Sequence, residues 1–411
     1  MTQAWSERRQ VQLFWLALAM IYGAVYARSL GFGFFDDDFH QQAVTWRTVW
    51  PTIRADPQFR PLFWVMFPLT SSTLGPSPFA HHLVNHALHL SNCALAYAVF
   101  RERFGGPRAA VAVIAWNLLP QLAFSLGWIA ERNDPLFTLF LLGSIRLHDR
   151  RYPRLAWLAA LCSYLSKVTA LAFPLAFTTK AGLLRYPGDR VAGWSLIAVT
   201  LCLSVLAAYD DPLKPHLAGF GIPLLAINAA KNVIAGVIGW LVPAPFLAGP
   251  VAITGWGVCL LATATLLAKY ARGDAAVLSV ALIAGLLALP FAKNAELRIS
   301  YAFSLFAIAA IIGAIRPPPG DRRAMTLVLA ALAGLAAYGL PATAATVEGF
   351  KSDYRQVRAQ PPGQDAACAY PVAFYPWMRA QEIAFAQHHL GLGRAFRAEP
   401  EPVTCVEQVR L

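Results

Sequence analysis

Three consecutive carboxylates, Asp36, Asp37 and Asp38, follow directly on the apolar run that ends in "GFGFF". Carboxylates at one mouth of a helical bundle could take a proton from a hydroxyl or hold a divalent cation. Taken alone, three acids after a helix serve equally well as a solvated stop. Cations and further acids recur downstream: Arg60 in "FRPLFW", Glu131, Arg132 and Asp134 in "GWIAERNDPLF", Lys167 in "SYLSKVTA", and Glu296, Arg298 and Tyr301 in "NAELRISY". Arginine and lysine can grip a phosphate held at a membrane surface. A base facing such a clamp suits transfer of a group from a lipid phosphate to an acceptor hydroxyl.

The spacing of "AHHLVNHALH" puts His82, Asn85, His86 and His89 on one face of a helix. That face could ligate a metal, but no cysteine or HExxH-like pattern accompanies it, and hydrogen bonding between helices is the simpler use. Arg132 has a plain reading too, as the partner of Glu131 or Asp134. Lys167 is harder to dismiss, because a charge inside apolar sequence is costly and marks a function or a specific partner.

The elements that would position these groups follow from composition. The chain of 411 residues is 57% hydrophobic and only 14% charged, with a mean hydropathy of +0.49. Soluble domains carry about 25% charged residues. Apolar stretches near the length of a bilayer span recur, so the expected fold is all-α and polytopic. The net charge of +12 then records helix orientation and not nucleic-acid binding.

Spans are expected at about 11–30, 81–100, 108–127, 134–148, 154–166, 168–184, 191–208, 250–269, 275–292, 298–315 and 324–342, about 11 in all. The first is read as a retained anchor, because its apolar core is too long for a signal peptide. The segment "IPLLAINAAKNVIAGVIGWLVPAP", interrupted by Lys231 and Asn232, is placed as an interfacial or re-entrant helix. With the N-terminus in the cytoplasm, the inside connections hold 17 Lys and Arg, against about 10 in the opposite connections before the tail. That bias supports N-in, C-out. Residues 1–342 form the expected transmembrane domain, with 31–80 as its first extracytoplasmic loop, and 343–411 a small extracytoplasmic C-terminal domain. Cys368 and Cys405 lie in that tail, where an oxidising compartment lets thiols pair.

Under this topology the acids and cations fall on one side. Their order, "F-DDD-F", "FRPLFW", "HHLVNHALH", "W-I-A-E-R-N-D", "LSKVTALAFPL" and "LRISYAF" over residues 11–315, resembles the GT-C superfamily of membrane glycosyltransferases. The nearest likeness is to the protein O-mannosyltransferase-like branch and the lipid A glycosyltransferases. The resemblance implies a polyprenyl-phosphate sugar donor and an inverting transfer to an acceptor hydroxyl on the extracytoplasmic face, in a bacterial inner membrane. It implies an acidic first-loop residue as general base, with Asp37 and Asp38 favoured over Asp36. Arg60, Arg132, Lys167 and Arg298 match positions around the donor phosphate, and Glu131 and Asp134 a second acidic patch. His82, Asn85 and Tyr301 are further site candidates. A metal such as Mg or Mn, if used, would sit on Asp37, Glu131 and Asp134. Partners are the lipid-linked donor, membrane lipids and a glycan, lipid or protein acceptor.

The chain departs from the pattern at Val168, where relatives often carry an acid, and at Leu297, which separates Glu296 from Arg298. It shows no TPR periodicity. The alternative function is transport or flipping of a lipid-linked saccharide, with the acids as proton relays.

Overall fold

The computed structural model describes residues 2–34, 38–56, 59–119, 122–167, 301–318 and 320–359, with scattered helical residues between 254 and 269. Asp36, Asp37, Glu296, Arg298, the tail beyond 359 and the spans expected between 168 and 250 and at 275–292 lie outside the described residues. Among the described residues every regular element is a helix. The all-α expectation holds there.

The first helix, α1 (Thr2–Ile21), continues through a π-helical turn (Tyr22–Tyr26) and a 3-10 turn (Ala27–Gly31). The stretch Arg8–Gly31 is long and apolar enough to cross a membrane, and so is Arg322–Pro341 within the last helix. Only 28% of the first window and 22% of the second are buried inside the protein. Most of each apolar surface therefore faces outward, the reverse of a soluble core helix.

The expected first loop, 31–80, is largely helical: α2 (Asp38–Gln42), α3 (Val49–Ala55) and α4 (Pro61–Leu74). Pro61 starts α4 at a position where its missing N–H costs nothing, and Gly75, at φ 90°, ends it in a conformation closed to other residues. The central helix, α5 (Pro78–Phe104), is capped by Ser77, whose hydroxyl accepts the Ala80 amide, and is stopped by Gly105.

The span expected at 108–127 is not continuous. Helix α6 (Gly106–Asn117) stops, and a short α7 (Leu122–Gly127) follows. The sequence there reads "NLLPQ", and a proline cannot supply the amide that would carry the helix on. Next come a 3-10 turn (Ile129–Arg132), α8 (Asn133–Asp149) and α9 (Pro153–Tyr164). These two helices match the expected spans to within two residues. After α10 (Tyr301–Ala314), the last described helix, α11 (Arg322–Ala359), runs without a break past 342. The first part of the expected tail domain thus continues this helix.

Helix α5 packs against α4, α6, α8 and α10, and α1 lies on α6. One apolar core joins α1, α5, α6, α8 and α10 around Phe14, Phe100, Trp116, Leu126, Phe137 and Leu305. A second, smaller core joins the first loop to the turn before α8: Phe34, Val44, Val49, Ile53, Phe63, Trp64, Phe67 and Ile129. This second core positions the site.

Candidate functional site

The sequence "WIAERND" forms a tight turn with all four residues Ile129, Ala130, Glu131 and Arg132 buried. A 3-10 turn advances about 120° per residue, so neighbours leave it in different directions. Glu131 goes to one side, toward Asp134. Arg132 goes to the other, beneath α4 and α5.

Arg132 is fully buried and its guanidinium meets protein acceptors throughout. Its Nε donates to Asn85 Oδ1 at 2.8 Å, Nη1 to the Met66 carbonyl and Thr70 Oγ1, and Nη2 to the His81 carbonyl at 2.9 Å and His81 Nδ1 at 3.2 Å. The charge also lies over the Phe67 ring. Because arginine only donates, His81 Nδ1 must accept, so the ring proton sits on Nε2 and faces Ser71 Oγ at 3.1 Å. Burial pulls the Arg132 pKa down to about 9, and the Asp38 charge acts in the opposite direction. The expected phosphate contact does not fit this geometry. With all three nitrogens engaged inside the protein, Arg132 is a clasp that ties α4, α5 and the turn together.

Asp38 is also fully buried. Its Oδ1 accepts the Ala130 amide at 2.6 Å across 92 residues of sequence. The first loop is therefore docked on the turn through the last acid of the triplet. A carboxylate so placed does not reach solvent to deprotonate an acceptor, and in this conformation the expected base role does not fit Asp38.

Asp134 is buried and receives Lys167 Nζ on both oxygens, at 2.7 and 2.8 Å. Glu131 lies within hydrogen-bonding reach of the same carboxyl. This ion pair explains the charge inside apolar sequence: Lys167 lies just past the end of α9 and meets the first turn of α8. The Leu62 amide donates to the Leu165 carbonyl at 3.1 Å, bringing the start of α4, and Arg60 with it, to the Lys167 end of α9. Arg60 binds Asp56 through Nε at 2.8 Å and Nη2 at 3.3 Å, and the same carboxylate takes Trp64 Nε1 at 2.8 Å. Both expected phosphate-binding cations that face this mouth carry an internal carboxylate partner.

For a divalent cation the described part of the expected set does not fit. The Asp134 oxygens both face an ammonium, which would repel a metal at the same carboxylate. Among the described residues no group of three metal-ligating side chains occurs.

The polar face of α5 is real and wholly buried. His82 Nε2 lies against the Gly33 carbonyl and Nδ1 against the Leu126 carbonyl. Asn85 Nδ2 lies 3.3 to 3.4 Å from the carbonyls of Ser125, Trp128 and Ile129. Both side chains thus hold the approaches to the turn. His86 Nε2 meets Ser29 Oγ at 2.8 Å; since Ser29 donates to the Tyr26 carbonyl, the His86 ring donates here. Tyr301 reaches α5 from 212 residues away: its hydroxyl lies 2.7 Å from His89 Nδ1 and accepts from Asn92 Nδ2 at 3.2 Å. Asn117 turns its Nδ2 to the Val113 carbonyl, so its Oδ1 accepts His89 Nε2 at 2.9 Å, and Tyr301 must be the donor to Nδ1.

Sequence reasoning missed Asp56, His81, Asn92 and Asn117. Asn92 continues the helical spacing already noted for His82 and His89 on α5, which was the available signal, whereas Asn117 comes from the end of α6. Asp56 stands four residues before Arg60 in a segment with no regular pattern.

No model of a known protein family, no curated protein and no solved structure matches the chain.

Proposed function

We propose that the protein is a multi-pass membrane glycosyltransferase, oriented N-in and C-out with about 11 spans, that moves a sugar from a polyprenyl-phosphate donor to an acceptor hydroxyl. The transfer is inverting and takes place on the extracytoplasmic face. One observation carries the reading. The loop that bears the acidic triplet is docked, through Asp38, on the turn that carries Glu131, and Glu131 lies by the Asp134–Lys167 pair. In this reading a base from the triplet and a phosphate-binding cation work at one mouth, as a lipid-phosphate donor and a hydroxyl acceptor require.

In this scheme Asp37 is the base, with Asp36 beside it, and Asp38 positions the loop. Lys167 and Arg60 meet the donor phosphate, exchanging an internal carboxylate for it, while Arg132 holds the turn. Arg298 keeps its expected place near the phosphate from the sequence pattern alone.

A second reading, transport or flipping of a lipid-linked saccharide, draws on the buried polar stripe of α5. From His82 to Asn92 it covers about 15 Å along the helix, deeper than a site confined to one surface.

The test uses purified full-length protein with radiolabelled polyprenyl-phosphate sugars and candidate acceptors, the wild type beside Asp37→Asn and Asp36→Asn. Transfer by the wild type and its loss in Asp37→Asn, with thermal unfolding unchanged, supports the enzyme. Unchanged transfer in both variants sinks the first-loop base. Movement of labelled donor across vesicles without any transfer favours the second reading.

A further inference from the structure

The segment 43–55 of the first loop has two unlike faces. Val44, Val49 and Ile53 are buried in the small core with Phe34 and Ile129. Away from that core Trp46 and Trp50 are 53% and 60% exposed, and Arg47 is exposed beside them. Between residues 38 and 56 no acidic side chain is exposed, because Asp38 and Asp56 are both buried against protein partners. The exposed face is therefore cationic and aromatic together.

That combination selects its partner by chemistry. An indole has an apolar body and one N–H donor, which suits the boundary between acyl chains and headgroups. A guanidinium matches the paired oxygens of a phosphodiester. An anionic bilayer surface offers both, at depths a few ångströms apart. We propose that the face formed by Trp46, Arg47 and Trp50 docks on anionic phospholipid headgroups. Val49 and Ile53 lie beneath that face and share a core with Phe34, just before the acidic triplet, and Ile129, which opens the "IAERND" turn. Docking therefore steadies the two segments that meet at Asp38 and Ala130. The proposal rests on the membrane placement of the first loop given above, and not on sugar transfer.

Amide hydrogen exchange tests it on the full-length protein in lipid nanodiscs, made of phosphatidylcholine alone or mixed with phosphatidylglycerol. Arg47 at an anionic surface should slow exchange of the α3 amides roughly fivefold in the mixed lipid. Arg47→Glu should lose most of that difference, and Trp46→Ser with Trp50→Ser should speed exchange in both lipids. Thermal unfolding of each variant checks that the fold is kept. Equal α3 exchange in the two lipids overturns the proposal. So does equal slowing by inorganic phosphate in detergent, which would identify a free-anion site. Because no transfer is measured, failure here and failure of the enzyme reading are separate results.

Discussion

The Asp38 carboxylate holds the Ala130 amide at 2.6 Å, joining the first loop to the turn before α8. The contact sets Asp38 against the turn that carries Glu131, and its carboxylate lies near the buried charge of Arg132. Asp38→Asn keeps an acceptor for Ala130 but removes the charge, whereas Asp38→Ala removes both. The alanine variant should lose about 1–3 kcal/mol, the cost of a buried amide left without a partner, and the asparagine variant less. Thermal unfolding measures the loss, and trypsin cleavage at the exposed Arg47 and Arg54 reports release of the loop. Equal behaviour of the two variants would show that only the charge matters.

Arg132 offers a sharper case, because its fork is matched on every nitrogen. Lysine carries the same charge but cannot reach Asn85, Thr70 and His81 together. Arg132→Lys should therefore destabilise by about 3 kcal/mol or more, close to the cost of breaking a buried charge network. A lysine variant with a wild-type unfolding midpoint would refute the clasp.

The Asp134–Lys167 pair separates structure from chemistry. Lys167→Met leaves a carboxyl buried without its cation and should cost about 3–5 kcal/mol. Adding Asp134→Leu should recover most of that stability, since an apolar pair of similar size replaces a buried ion pair with little penalty. Transfer should stay absent in the recovered double variant if Lys167 meets the donor phosphate. Activity returning together with stability would leave the pair a purely structural role.

Gly339 lies in α11 where an added Cβ would overlap the backbone carbonyl of Leu118. Alanine normally gains up to about 1 kcal/mol over glycine inside a helix. Here the overlap is with backbone, so Gly339→Ala should instead lower the unfolding midpoint by an amount corresponding to about 1–3 kcal/mol. Gly143→Ala in α8, with no atom near its Cβ position, is the control and should be neutral or stabilising.

Glu102, exposed at the end of α5, accepts from Arg146 of α8, and this hydrogen bond holds its carboxyl below the ordinary carboxylate pKa. A depressed acid stabilises the fold above its unfolded pKa, and that contribution disappears as pH falls through the folded value. The unfolding midpoints of wild type and Glu102→Gln should therefore differ slightly at neutral pH and converge in acid. Screening keeps the difference small. A gap that widens on acidification would contradict the pairing.

Local signals in the chain were enough for α5, α8 and α9. Each combines an apolar run with a marked end: Ser77 before α5 and Pro78 at its start, Gly105 after it, Pro153 at the start of α9. The one-sided histidine face of α5 was legible from its spacing, and so was the anomaly of Lys167. Local pattern also misled. It joined 108–127 into one span despite the proline at 120, and it read 31–80 as loop although α4 folds within it.

What spacing could not disclose was the partner of each charge. Arg132 and Glu131 are adjacent in sequence, yet the turn sends one under α4 and α5 and the other to Asp134. Asp38 meets Ala130 across 92 residues, and Tyr301 meets His89 across 212. Aversion to water is a property of a side chain and its near neighbours, so the apolar spans and the polar stripe can be read locally. A hydrogen bond depends on a few ångströms between segments far apart in the chain, and only the packed helices determine that distance.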